Sequence, residues 1–357
     1  MRGSRSSITL RPGDGVHIVS EREQPLPADG IRVAPRWCGV CGTDLDIVKR
    51  SRGDRPAVLG HEAIVQLVEK GEQSDWPGKV STGGVISPDG SGACERVGHT
   101  LPGVWSTSRI ITSNEIRDGH LIEWPANSFG SELALAEPLA AVLYADELIG
   151  GLSGEGRVLL VGSGSFAALA ALYYLRLGLR CTIAGSTRTR LDELERSFDH
   201  ANFTTAERSG KLNQKFDAVL VAVPRTVAEA AIDFAFAHVR DGGVVDLVGG
   251  PTGRHVGLDD VRHANNCGSP LKGVSRQMPG PNGSVRVTGH RGTGPRHLLG
   301  AASLLQQSPV FWQKAVTHIL PLEEAPAVIA SLARNRASTI DGRGVGKAII
   351  NMSGDFR

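Results

Sequence analysis

Val158-Leu-Leu-Val-Gly162-Ser-Gly164-Ser-Phe-Ala167 closes a short apolar run and opens a helix-like one. In that setting a Gly-x-Gly-x-x-Ala pattern has a mechanical meaning. Gly162 permits a tight turn, Gly164 lets the backbone approach a pyrophosphate, and small Ala167 allows helix to pack closely on strand. The free N–H groups of that helix would then face a diphosphate. A second strand, Arg180–Ala184, runs into Gly185-Ser186-Thr187-Arg188, with no carboxylate where one would hold the ribose hydroxyls of NAD. Ser186 and Thr187 can donate hydrogen bonds, and Arg188 or Arg190 can meet a 2′-phosphate with a charge-assisted pair. NADP(H) is therefore expected in preference to NAD(H).

Outward from this stretch the chain alternates. Helix-like Phe166–Leu177, amphipathic Thr189–Phe198, apolar Phe216–Val223, a helix over Thr226–Val239 and apolar Gly243–Val248 continue the theme. Near-continuous apolar strands separated by helices are the mark of a doubly wound parallel sheet covered on both faces, a Rossmann domain. Residues before about Glu123 are Gly- and Pro-rich, with short β-prone runs at Gly30–Val33, Glu62–Glu69 and Val104–Thr112, and read as an irregular β domain. From Ser131, SELALAEPLAAVLYADELI reads as one helix bridging the two, with Ser and Glu in its first turn. A helix at Pro295–Gln306 and a terminal strand at Gly346–Asn351 return to the first domain. The expected division is 1–147 with 293–357, and 148–292.

The 357 residues, 40% hydrophobic and 21% charged, exceed one typical core, suit two domains and leave a cleft for a ligand. Arg outnumbers Lys about fourfold, yet the arginines are scattered and the formal charge is only +2, so neither nucleic acid nor a membrane is an expected partner. MRGSRSSITL has no apolar core of signal-peptide length, and the protein reads as cytoplasmic. Five cysteines, Cys38, Cys41, Cys94, Cys181 and Cys267, make no disulfide framework in a chain this long; a cysteine with a task is a ligand or nucleophile.

Three fragments supply metal-binding chemistry: Cys38-Gly-Val-Cys41-Gly-Thr43-Asp44, Gly60-His61-Glu62-Ala63 and Ala136-Glu137-Pro138-Leu139-Ala140. On these, and on the order of domains, the chain resembles the zinc-dependent alcohol and polyol dehydrogenases of the medium-chain dehydrogenase/reductase superfamily over nearly its whole length. The resemblance implies a GroES-like β-rich catalytic domain beside the Rossmann domain, and a homo-oligomer, dimer or tetramer. It implies one catalytic Zn²⁺ on Cys41 and His61 with Glu137 or Glu62 as third ligand, leaving a position open for a substrate oxygen. Asp44 would orient a ligand such as His61. Thr43 would begin a proton relay from the substrate. The substrate expected is a small polar alcohol or ketone of polyol, sugar or aminocyclitol type, in specialised metabolism. Trp105 would line the substrate cleft or lie in the core.

Two departures from the family stand out. The region Ser87–Trp105, where many members hold a structural zinc on four cysteines, contains only Cys94, so no second zinc is expected. Asp46 replaces a relay histidine, and could either carry the proton onward or hold a cationic group on the substrate. Two other functions remain open on this fold: a zinc-free quinone or enoyl reductase, and a non-catalytic NADP-binding protein.

Overall fold

The computed structural model describes residues 4–11, 15–80, 82–91, 95–124, 129–210, 212–266 and 273–353. Cys94 and Cys267 lie outside them. The chain divides into two compact units, one of Met1–Ala140, Thr293–Ile340 and Lys347–Arg357, the other of Ala141–Gly292 and Asp341–Gly346. Among the described residues no helix is long and apolar enough to cross a membrane.

The second unit is built on the opening stretch. Val158, Leu159, Leu160 and Val161 are wholly buried, each such side chain contributing about 1.5–3 kcal/mol of transfer free energy. They form strand Arg157–Val161, central in a seven-stranded sheet. Across that sheet the order is Phe203–Glu207, Arg180–Gly185, Arg157–Val161, Phe216–Val221, Val239–Leu247, Gly283–Gly289 and Arg276–Gly280. All neighbours are parallel except the last pair. Helices Ser165–Arg176, Arg188–Ser197 and Ala228–His238 make crossovers, giving the doubly wound α/β architecture. Strand order reverses between Arg157–Val161 and Phe216–Val221, so the Gly162 loop lies at the switch point where such sheets take ligands.

Some boundaries differ from the sequence pattern. Strands Phe203–Glu207, Gly283–Gly289 and Arg276–Gly280 were not expected; they are half-polar and partly exposed, without the apolar run of the central strands. The helix expected to reach Val239 ends at His238, and Val239 begins a buried strand. The bridging helix does not start at Ser131. Ser131–Leu135 is a 3₁₀ turn and the α-helix runs Ala136–Ile149. Pro138 has no amide to complete an α-helical bond to Ala134, so it is accommodated in the first turn of the helix.

In the first unit the sheet order is Val316–Pro321, Lys347–Asn351, Ile31–Gly39, Glu62–Lys70, Gly83–Ile86 and Leu121–Trp124, with Arg109–Ile111 paired to Ile31–Gly39. Register sets Gly39 opposite both Glu62 and Ile349. The end of one strand and the beginnings of its two neighbours thus meet in one place. Helix Gly42–Val48 starts there.

Gly162 has φ 125°, and a Cβ on it would lie 2.3 Å from the Ala222 carbonyl oxygen, whereas a Cβ on Gly164 meets nothing within 4 Å. Gly162→Ala should lower unfolding free energy by about 1–3 kcal/mol in urea titration, and Gly164→Ala by less than about 0.5 kcal/mol.

Candidate functional site

Cys41 caps helix Gly42–Val48 with its side chain and Asp44 closes the reciprocal half of the capping box. The Cys41 amide donates to Asp44 Oδ2 at 2.9 Å. The other carboxylate oxygen, Oδ1, lies 3.2 Å from His61 Nδ1. One buried carboxylate therefore holds both the cysteine backbone and the imidazole. Burial alone would raise the Asp44 pKa and is its largest influence, but His61 and the Cys41 amide outweigh it and leave the pKa lowered. For His61 burial again acts first, favouring the neutral ring. Asp44 and the Cys41 thiol override it and hold the imidazole pKa well above 6.5.

Donor atoms of Cys41, His61 and Glu62 lie within 4.8 Å of one another, the one such group of three among the described residues. Sulfur, nitrogen and carboxylate oxygen at this spacing suit a tetrahedral zinc with one position left open. Glu62 also pairs with Lys347, and both are wholly buried; the same ammonium donates to the Val40 carbonyl at 3.2 Å. Glu137 stands at the start of helix Ala136–Ile149, outside that group of donors. Its pKa is raised to about 7, first by burial; His61 and Lys347 oppose the rise, while Glu62 and Asp89 add to it. Cys38 is buried with its thiol on the Val104 carbonyl at 3.1 Å, as a structural residue.

The residues expected to meet a nucleotide lie in the second unit. Gly164 is the N-cap of helix Ser165–Arg176, open space stands over it, and buried Ala167 packs on the sheet. Ser186 is exposed, and Thr187 is the N-cap of helix Arg188–Ser197. Arg188 donates to Asp192 at 2.6 Å and Glu195 at 2.9 Å on its own helix. Arg190 is half-buried and already engaged.

Comparisons with known proteins place this geometry. No family model matches the chain. A glucose 1-dehydrogenase of Vulcanisaeta moutnovskia is 28% identical over 258 residues, 64% of this chain and 71% of that protein. The glucose 1-dehydrogenase of Thermoproteus tenax is 26% identical over 352 residues, 89% of this chain and 93% of that one. Among solved structures, a protein of Sinorhizobium meliloti described as a zinc-binding dehydrogenase, bound to NADP, superposes with TM-score 0.74 at 18% identity, covering 98% of this chain and all of that one. The chain is thus similar to zinc-binding alcohol, glucose and polyol dehydrogenases of the medium-chain dehydrogenase/reductase type.

Within this dehydrogenase several residues stand differently from the simplest expectation. Asp46 is not a lone carboxylate: Arg336 donates to it at 2.5 Å and to the Gly42 carbonyl at 2.8 Å. Its charge is already met, which weakens the idea of a docking point for a substrate cation. Trp105 is wholly buried, its indole N–H on the Gly39 carbonyl at 3.1 Å and its ring filling the space beside Gly60. That favours the core reading of Trp105. Thr43 is half-buried in the first turn of the capped helix.

Sequence reasoning passed over Lys347, Arg336 and His99. The His99 ring lies 5.2 Å from that of His61, and its pKa is lowered, first by burial and then by the charge of His61. A lysine opening the apolar strand Lys347–Asn351 was the one readable signal, since an unpaired lysine does not sit in a core.

The Asp44–His61 pair has a pH window. With the Asp44 pKa below 3.8 and that of His61 well above 6.5, its stabilisation is full between those unfolded values. It fades as Asp44 gains a proton in acid or His61 loses one in base. In chelator-treated dehydrogenase, Asp44→Asn should therefore lower the urea midpoint most at about pH 5–6. In competition with a chelator the same variant should bind zinc roughly 10–100-fold more weakly.

Proposed function

We propose that this dehydrogenase is zinc-dependent and moves hydride between NADP(H) and a small polar secondary alcohol or its ketone, of polyol, sugar or aminocyclitol type. The observation that carries the reading is the gathering of Cys41, His61 and Glu62 donors under a single orienting carboxylate, Asp44. These three residues would hold the metal, with Glu137 able to exchange for Glu62. When bound, zinc supplies Lewis acidity toward a substrate oxygen and NADP(H) supplies or accepts the hydride.

The chain's own groups do the rest. Asp44 holds the His61 ring through Nδ1, and His61 would serve as one ligand of the metal. The Thr43 hydroxyl accepts the substrate hydroxyl proton as the first step of a relay, or donates one to the substrate oxygen in the reverse direction. Asp46, tied to Arg336, stands one helical turn beyond Thr43 as the relay's second carrier. Gly162, Gly164 and Ala167 cradle the diphosphate at a helix N-terminus. Ser186 and Thr187 lie where a 2′-phosphate would be met, and the absence of a carboxylate there leaves it unrepelled. By resemblance to those dehydrogenases the enzyme is a homo-oligomer, dimer or tetramer.

The test is a turnover screen with NADPH and NADH over polyols, sugars and aminocyclitols with their ketones, paired with elemental analysis. One zinc per chain is expected, with Cys41→Ala losing both metal and turnover while its far-UV spectrum is retained. Full activity in metal-free protein would instead support a zinc-free reductase. NADPH binding with no turnover on any substrate would support a binding protein.

A further inference from the structure

We infer that Arg208, rather than Arg188, is the residue that reads the 2′-phosphate of NADP(H); the assignment rests on the cofactor preference proposed above. Arg208 follows the third strand, Phe203–Glu207, which the sequence pattern does not reveal. Register sets Glu207 beside Gly185, and the Arg208 amide donates to the Gly185 carbonyl at 2.8 Å. One residue beyond that pair, Arg208 comes alongside Ser186, where the second strand ends.

Alternation along the strands puts the two on a common side. The Thr205 hydroxyl bonds to Glu195 of helix Arg188–Ser197, and Gly185 packs against Leu191 of the same helix, so positions 205, 207 and 185 share the helix-covered face. Ala206 and Ala184, paired in register, turn to the opposite face, and Arg208 and Ser186 continue it. Ser186 is exposed and Arg208 half-buried. Among the described residues the Arg208 side chain has no hydrogen bond or ion pair.

Arg188 is in a different electrostatic position. It is held by two carboxylates, Asp192 and Glu195, and Glu195 also takes the Thr205 hydroxyl. A phosphate approaching Arg188 therefore approaches one positive and two negative charges. A phosphate approaching Arg208 meets an arginine with no carboxylate on it, beside the Ser186 hydroxyl. Arg188 is best read as a brace for the first two turns of its helix, through its i,i+4 and i,i+7 partners.

Equilibrium titration with NADPH and NADH, read by nucleotide fluorescence, separates the two arginines. Wild-type protein should favour NADPH. Arg208→Ala should weaken NADPH roughly tenfold or more, the loss of a charge-assisted contact, while NADH affinity stays within about twofold. Arg188→Ala should leave the ratio of the two affinities within about twofold. An unchanged ratio in Arg208→Ala, or equal weakening of both nucleotides, overturns the assignment, as does collapse of the ratio in Arg188→Ala alone. Should Arg208→Ala not fold, Arg208→Gln is judged by the same ratio. If wild-type protein binds both nucleotides equally, the cofactor preference fails first, and the Arg208 assignment falls with it.

Discussion

Both oxygens of the Asp44 carboxylate are committed, one to the Cys41 amide and one to the His61 ring. The two residues it ties are 20 positions apart and belong to different strand ends, so the sheet must bring Gly39 beside Glu62 before the carboxylate can act. Once it does, the four-residue helix cap Cys41–Asp44 becomes the frame of the candidate metal site. The same short sequence, Cys-Gly-Thr-Asp, sets the cap, the sulfur donor and the Thr43 hydroxyl. Few substitutions could leave all three intact. A buried carboxylate in this role is stable because one oxygen accepts the Cys41 amide and the other faces an imidazole at 3.2 Å; with neither it would be an uncompensated buried charge.

How much of the fold the sequence displays depends on burial. Arg157–Val161 and Phe216–Val221 lie between helices on both faces, so their side chains are apolar without alternation and the run is unmistakable. Phe203–Glu207 lies at the sheet edge, where Thr204 and Glu207, on opposite faces, are both exposed, and its five residues carry no pattern that separates them from a loop. Pro138 shows a second limit. The composition around it is helical, and only the missing amide divides a 3₁₀ turn from an α-helix.

The site divides in the same way. Cys41, Asp44 and His61 fall within short fragments whose residue types explain one another, and the geometry brings them together. Lys347 and Arg336 come from the far end of the chain, joined to Glu62 and Asp46 across nearly 300 residues of sequence, 285 and 290 positions respectively. No local pattern announces such a pair, because it exists only when the last strand returns beside Ile31–Gly39. Arg208 is hidden for a related reason: its position follows from a strand that the sequence does not advertise. Cys41, Asp44 and His61 are legible because each lies in a short fragment, while Lys347, Arg336 and Arg208 are placed by topology.

The balance of charge around Cys41 gives the last step. Buried Asp44 and Glu62 and half-buried Glu137 act on a space in which His61 and Lys347 are cations, and each of these is already closely paired, with Asp44 and Glu62 respectively. Among the described residues Glu137 has no such close cation, and burial together with Glu62 and Asp89 lifts its pKa to about 7 even against His61 and Lys347. Protonation is how a buried carboxyl answers a shortage of positive charge. A divalent cation answers it differently, by letting the acid ionise and by displacing the proton that Asp44 and Cys41 hold on His61. Glu137 and Glu62 then differ in what neutralises them, a lysine for Glu62 and, in part near neutral pH, a proton for Glu137. Lys347 pairs with Glu62 and its charge also reaches Glu137, where it lowers the pKa that burial raises.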